Sequence, residues 1–279
     1  MRLSGSADHY DTKGSFKTSI YYCRLCDIFF RALKHNRMID HFYSTSYTQE
    51  SNEQHFFKSR IGFFIFLLSY AIKLKGIPNK EHRDNIRLVD FGSAYGHFLE
   101  LAKEQGLNAT GIELNDNLRE VCLKNGLTVY KTIHELLEPT DLFFAIDSLY
   151  YIPNPKEILS NIKEKLRPGG LLVLRVINRN WYAKLSALCL GRNDFSSLGD
   201  STISYSLKGI KRLLSFSGFQ IIQILPGHGQ GKIMNVTKKL SNSISYFMTL
   251  LMAKKVIFTP GIIIFAKASK KTGCRIEKR

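Results

Sequence analysis

The sequence predicts an α/β fold, a doubly wound sheet of parallel strands, and three observations predict it. From Ile86 onward, strand-length apolar runs alternate with segments of helical period. The runs, such as residues 171–177, are apolar without polar alternation, as strands buried on both faces are. Glycine, proline, asparagine or aspartate stands at nearly every junction.

Taken in order, residues 1–20 are polar and are expected to be loose. Residues 21–47 are aromatic-rich, hold a close cysteine pair and read as a small accessory element. Residues 54–75 have helical spacing, and the basic-polar stretch 78–87 separates that helix from the sheet. Strands are expected at 86–91, 108–114, 127–132, 141–149, 171–177, 219–226 and 260–269. Helices are expected at 97–106, closed by Gly106, and at 115–126, opened by Asn115 or Asp116 and closed by Gly126. A short helix follows at 132–139, and another at 155–170 stops at Pro168-Gly169-Gly170. Residues 178–204 are irregular, and 206–218 form the last helix of the alternation.

Composition narrows the function classes. With 279 residues and 44% hydrophobic content, the chain has enough apolar side chain for a sizeable core. A disulfide-stapled miniature and wholesale disorder are both excluded. The longest apolar run, residues 61–72, is shorter than the ~20 residues of a membrane span. The polar N-terminus lacks the apolar stretch of a secretory signal, so the expected compartment is the cytoplasm. The net charge of +17 is concentrated in residues 231–279, which hold 11 Lys and Arg against one acid. Such a stretch is either a solvated fringe or a face for an anionic partner, including a membrane surface. The five cysteines form an odd set with a single close pair, Cys23 and Cys26, and read as reduced thiols.

The segment richest in chemical information runs from Val89 to Phe98, where a strand empties into a turn holding Gly92 and Gly96 and then into a helix. Turns of this kind let a ligand approach the backbone and set it against the positive end of the helix. Glu113 ends the next strand, 21 residues after Gly92, where an acid in a nucleoside-binding fold accepts hydrogen bonds from ribose hydroxyls. The dinucleotide fingerprint needs glycines at 92, 94 and 97, and this chain has Ala94 and His97.

The spacing instead resembles the glycine loop of the class I S-adenosylmethionine-dependent methyltransferases, with glycines at 92 and 96, Ala94 between them and Asp90 just before the first. The resemblance continues through residues 141–155, the LRPGGLLVLRVIN segment and the SLKGIKRLLSFSGFQIIQI segment, and covers about residues 55–267. It implies a Rossmann-like sheet of seven strands with the last one antiparallel, and S-adenosyl-L-methionine as cofactor. It also implies cofactor contacts from Asp90, Gly92, Ser93, Ala94, Tyr95, Gly96, Glu113, Leu114, Asp147 and Ser148. Ala94 departs from a frequent glycine, and Tyr150-Tyr151 stand where the family often has a Glu-His pair, so a base from that pair does not carry over. The remaining acid–base candidates are Tyr151, past the fourth parallel strand, and His228, past the sixth. Packing or acceptor contact is the competing role for the tyrosine, and a solvated loop for the histidine. His97 reads as a local turn contact.

Residues 22–47 resemble the N-terminal extension of some sugar and small-molecule methyltransferases, in which two cysteine pairs form a zinc ribbon and an aromatic stretch follows, here Phe42, Tyr43 and Tyr47. Only one pair is present, so no metal is expected, although His9, His35 and His41 stand close enough in sequence to complete a site.

The resulting expectation is an N-terminal extension over 1–53, a methyltransferase domain over 54–270 with acceptor-site cap insertions at 178–204 and 228–258, and a basic tail over 271–279. The expected activity is methyl transfer to a small-molecule acceptor, sugar, quinone-like or polyketide-like. The competing readings are an RNA methyltransferase and a non-catalytic module that meets an anionic partner through its basic C-terminal region. Nucleic acid is the less expected partner, because the Asn/Asp-Pro-Pro-aromatic signature is missing after the fourth parallel strand.

Overall fold

The computed structural model describes residues 2–11, 14–32, 53–77, 80–178, 180–190, 201–227, 236–251 and 257–269. Its centre is a seven-stranded sheet built from β4 (Arg87–Phe91), β5 (Asn108–Ile112), β6 (Thr128–Tyr130), β7 (Thr140–Ile146), β8 (Leu166–Ile177), β10 (Phe219–Gly227) and β11 (Gly261–Ala268). The spatial order is β10-β11-β8-β7-β4-β5-β6. β4 pairs in parallel with β5 and β7, and β7 with β8. β11 is antiparallel to both neighbours, so it alone runs against the rest, as expected.

Period-two geometry sorts the continuous apolar runs onto two faces. One register row carries Val89, Phe143, Leu172 and Ala266 to one face, where helices α4 (Pro155–Lys165) and α6 (Leu207–Phe216) cover them with Leu159, Ile162, Ile210 and Leu214. The adjacent residues Leu88, Phe144, Val173 and Phe265 face α1 (Glu53–Lys75) and α2 (His97–Glu104). α1 is apolar nearly all round, yet it packs through Phe64, Leu67, Leu68 and Ala71 and leaves Ile61, Ile65 and Phe66 exposed. Its aromatic rings meet α2 at Phe64–Phe98, 5.3 Å, and the sheet at Tyr70–Phe265, 4.9 Å. α3 (Asp116–Lys124) begins where the Asn115 carboxamide oxygen accepts the amides of Asn117 and Leu118, an N-cap legible in the sequence.

Three boundaries differ from expectation. β7 stops at Ile146 rather than Leu149, because Asp147 takes a left-handed backbone (φ 59°) and residues 149–151 turn into a 3-10 helix. β8 begins at Leu166, so Pro168-Gly169-Gly170 lies inside the strand and does not cap the helix before it. Residues 133–135 form a 3-10 turn closed by a Thr132–Glu135 capping box, too short for an α-helix.

The N-terminal segment, expected to be loose, is ordered as strands. β1 (Arg2–Asp11) and β2 (Gly14–Cys23) form a hairpin, β3 (Ile28–Ala32) pairs with β2, and β9 (Ile203–Tyr205) pairs with β3. The accessory element and the segment before α6 therefore meet in one four-stranded antiparallel sheet, a long-range pairing that local pattern does not encode. Asn180, at the start of α5 (Asn180–Leu190), locks this sheet to the main chain of the fold. Its amide donates to the Asp27 carbonyl at 3.0 Å, and its carbonyl accepts the Ser204 hydroxyl at 2.6 Å. The remaining helix, α7 (Val236–Leu251), lies before β11 and is tied down at Thr249, whose hydroxyl accepts the Phe258 amide.

Asn180→Ala strands a buried hydroxyl and a carbonyl, and should lower unfolding free energy by about 1–3 kcal/mol. Urea denaturation followed by circular dichroism measures it, with a change below about 0.5 kcal/mol contradicting the locking role.

Candidate active site

The sheet's order reverses direction at β4, whose chain continues outward through β5 and β6 on one side while β7 and β8 lie on the other. Open α/β sheets bind ligands at the carboxyl ends of the strands beside such a switch point. Here that position holds two turns, residues 92–96 after β4 and Asp147-Ser148 after β7. They touch so closely that a Cβ on Gly92 would lie 2.8 Å from the Ser148 Cβ.

The backbone of the first turn is left-handed at Gly92 (φ 80°), Ala94 (φ 48°) and Gly96 (φ 82°). Glycine at 96 is required by packing as well, since a Cβ there would approach Leu127 Cδ1 to 2.3 Å. Ala94 carries the strain that the more usual glycine avoids. Two hydrogen bonds hold it: its amide donates to Glu113 Oε2 at 2.8 Å, and its carbonyl accepts the Cys122 thiol at 3.2 Å. Glu113 Oε1 accepts the Asn115 amide at 2.9 Å, so this buried carboxylate joins the turn after β4 to the cap of α3. Burial pushes the Glu113 carboxyl above its ordinary value, opposed by the amides of Asn115 and Ala94.

Asp90 lies at the end of β4, buried below the turn. Burial pushes its carboxyl up to about 7, with the nearby charge of Glu113 adding and the Arg60 guanidinium opposing. Around it opens a cleft of about 460 Å³, counted to its open mouth, lined by Asp90, Gly92, Ser93, Ala94 and Tyr95 from the expected set. Arg60, Phe64, His97, Phe98 and Ile146 complete the lining. The hydroxyls of Ser93 and Ser148 are buried and have no hydrogen-bond partner among the described residues. Leu114 is partly exposed beside Glu113, and His97 Nδ1 lies 3.3 Å from Glu100 Oε2, the local contact expected of it.

Asp147 is committed elsewhere than expected. Its carboxylate receives Arg60 Nη2 at 2.6 Å on one oxygen and Arg175 Nη1 on the other. Neither arginine stood out as a site residue in the sequence. The available signal was a charged side chain within the apolar strand LLVLRVI and another in the apolar helix α1, where a charge without a partner is costly.

The rings of Tyr150 and Tyr151 meet in a tilted arrangement, their centroids 4.5 Å apart and their planes at 52°. Burial raises the Tyr150 phenol well above its ordinary value, with the Asp147 charge adding. Tyr205 of β9 has a buried hydroxyl without a partner among the described residues, and sequence reading missed it. His228 lies outside the described residues, as do His35, His41, Phe42, Tyr43 and Tyr47. Cys23 and Cys26 form a turn in which the Cys26 amide faces Cys23 Sγ at 3.5 Å and lowers that thiol, while burial raises Cys26. Among the described residues no three or more His, Cys, Asp or Glu gather as a metal site.

A family model described as "Methyltransferase domain" matches residues 69–224, more than half of the chain, and spans β4 to most of β10. The chain belongs to this family. Among its curated relatives is a ubiquinone biosynthesis O-methyltransferase of Coxiella burnetii, 23% identical over 145 residues. That match takes in 48% of this chain and 62% of the relative, so the chain spans less than two thirds of the relative's length. A SAM-dependent methyltransferase from Archaeoglobus fulgidus superposes with a TM-score of 0.51 at 20% identity, over 80% of this chain and 100% of that one. The plantazolicin methyltransferase BpumL, solved in complex with SAH, gives a TM-score of 0.51 at 14% identity, over 84% of this chain and 95% of that one. At such identities the likeness is one of fold.

The Asp90 environment sets a pH dependence. Its folded value of about 7 exceeds the unfolded carboxylate value of about 3.9. Its contribution to stability is therefore complete below about pH 4 and is lost as pH rises through 7, at up to about 1.4 kcal/mol per unit. Asp90→Asn does not titrate, so its thermal midpoint relative to wild type should rise between pH 4 and 8. Parallel curves for the two proteins would place Asp90 in water.

Proposed function

We propose that this chain is an S-adenosylmethionine-dependent methyltransferase acting on a hydroxyl of a quinone-like or phenolic small molecule. The carrying observation is the left-handed turn at 92–96, secured by Glu113 beneath a cleft at the switch point of the sheet. Family membership supports the activity, and the O-methyltransferase relatives support the acceptor class.

The residues suit a nucleoside joined to an amino acid. Gly92 itself carries no side chain and lies against Ser148, the unpartnered hydroxyls of Ser93 and Ser148 offer donors, and each Glu113 oxygen retains a lone pair for a ribose hydroxyl. Asp90, Tyr95 and Leu114 complete the proposed cofactor set, while Gly96 contributes by permitting the turn to pack. When bound, the cofactor supplies an electrophilic methyl carbon on a sulfonium. The chain's task is then to align the acceptor oxygen, exclude water and place the acceptor's proton. Tyr150 donates a hydrogen bond from its retained proton, and Tyr151, half-buried against it, contacts the acceptor. The sheet of β1, β2, β3 and β9 forms the cap, with β9 against residues 149–151.

A second observation bears on where the acceptor is met. No helix of the described residues is long and apolar enough to cross a membrane. Yet α7 presents Ile244, Phe247, Met248 and Leu251, one helical stripe, to the outside, with Phe247 61% and Leu251 64% exposed. Within a region of such positive charge, this stripe suits peripheral contact with an anionic lipid surface. Cosedimentation should show binding to vesicles containing phosphatidylserine and little to neutral ones, and Phe247→Ser with Leu251→Ser should reduce it about tenfold. Equal pelleting of wild type and the double variant would remove α7 from the contact.

Calorimetry with S-adenosylhomocysteine tests the central reading. Binding is expected in wild type, with a loss of about 10- to 100-fold in Glu113→Gln, which keeps the size but can no longer accept at every position. A folded protein that does not bind would refute the methyltransferase assignment, and unchanged affinity in Glu113→Gln would reassign the ribose contact.

A further inference from the structure

The closely spaced Cys23 and Cys26 take no part in the cleft. Cys23 ends β2, and residues 24–27 turn the chain into β3, with the Asp27 amide donating to the Cys23 carbonyl at 2.7 Å. Two cysteines three positions apart in one closed turn lie within the ~7 Å between Cα atoms that a disulfide spans. Both thiols are free and half-buried, and Arg24 and Leu25 between them are exposed. His9 opposes Phe16 in the hairpin, about 23 Å back along β2 from Cys23, too far to share a ligand with the pair.

Three features give the pair a chemistry. The thiols are in contact with each other and are unequal. The Cys26 amide, 3.5 Å from Cys23 Sγ, lowers the Cys23 thiol, whereas burial and then the contact with Cys23 raise the Cys26 thiol. The surroundings are cationic. Arg212 and Lys208 of α6 act on Cys26, the Arg212 guanidinium donates to the Leu25 carbonyl, and Arg24 and Lys208 are exposed. The acid of the turn, Asp27, is matched by Lys184 and accepts the Tyr22 hydroxyl at 2.7 Å. Finally, the turn is held in place from outside. Asn180 donates to the Asp27 carbonyl, and Gly209 of α6 lies so near that a Cβ there would be 2.9 Å from the Cys26 carbonyl oxygen.

We propose that Cys23 and Cys26 form a thiol–disulfide exchange site whose partner is an anionic low-molecular-weight disulfide of the glutathione type. The Cys23 thiolate attacks one sulfur of that disulfide; a new sulfur–sulfur bond forms, the old one breaks, and its electron pair leaves on the first thiolate. The Cys26 thiolate then attacks the Cys23 sulfur and expels the second. Two protein thiols lose two electrons, one disulfide becomes two thiols, and the two protons given up by the cysteines end on the thiols released. The order is self-consistent. Once Cys23 is capped, its sulfur carries no charge against Cys26, and Arg212 and Lys208 favour the Cys26 thiolate. The site belongs to the sheet of β1, β2, β3 and β9 and is independent of the methyltransferase reading.

The full chain is incubated with glutathione disulfide or with cationic cystamine, quenched with iodoacetamide and mapped by mass spectrometry of its peptides. With glutathione disulfide a Cys23–Cys26 bond should accumulate and be reversed by dithiothreitol. Cys26→Ser should stop at a mixed disulfide on Cys23, and Cys23→Ser should react at Cys26 about tenfold or more slowly. With each rate divided by that for 2-mercaptoethanol, glutathione disulfide should react several-fold faster than cystamine at low salt, and the preference should shrink at high salt. A pair that stays reduced while exposed Cys189 is modified overturns the proposal, as does a mixed disulfide in wild type that never resolves. Cystamine reacting as fast or faster overturns the anionic partner. Equal rates in folded Cys23→Ser and Cys26→Ser, checked by circular dichroism, overturn the assignment of Cys23 as the attacking thiol.

Discussion

The carboxylate of Glu113 is the constraint on which the site depends. Its two oxygens accept backbone amides from Ala94 and Asn115, and so join the turn after β4 to the start of α3 across the gap between neighbouring strands. No feature of the local sequence alone keeps Ala94 in its left-handed conformation. The Cys122 thiol on the Ala94 carbonyl secures the same residue from the opposite side. The burial of an acid is thereby compensated by amides that would themselves lack partners.

A second electrostatic arrangement lies one strand away. Asp147 closes β7 with a left-handed residue and receives arginines from α1 and β8, so three segments distant in sequence meet at one carboxylate. The two arrangements differ in kind. Glu113 is satisfied by backbone and serves geometry, while Asp147 is met by side-chain guanidiniums on both of its oxygens. Between them sits Asp90, whose burial keeps its carboxyl near neutrality in titration. Acids of three different characters thus stand at the carboxyl end of the same parallel strands.

Much of this was legible before any coordinates. The parallel strands were read from unbroken apolar runs because burial on both faces removes the need for alternation. The Gly92 and Gly96 turn and Glu113 were legible because their spacing is imposed by one strand, one turn and one crossover, all local in sequence. The N-cap at Asn115 was legible for the same reason. The ends of β7 and β8 were not, since a left-handed aspartate and a Pro-Gly-Gly carried within a strand are decided by neighbours in the sheet.

The sequence by itself determined the α/β class, the reversed last strand through its family resemblance, and the cofactor-side turn. Only the tertiary structure decided that β1, β2 and β3 join β9 in one sheet, and that Arg60 and Arg175 converge on Asp147. The physical reason is the range of the interaction. Hydrophobic period and turn stereochemistry act over a few neighbouring residues and leave their mark in the local pattern, whereas edge pairing and the meeting of buried charges join positions 28 to 170 residues apart, whose proximity exists only after the chain has folded.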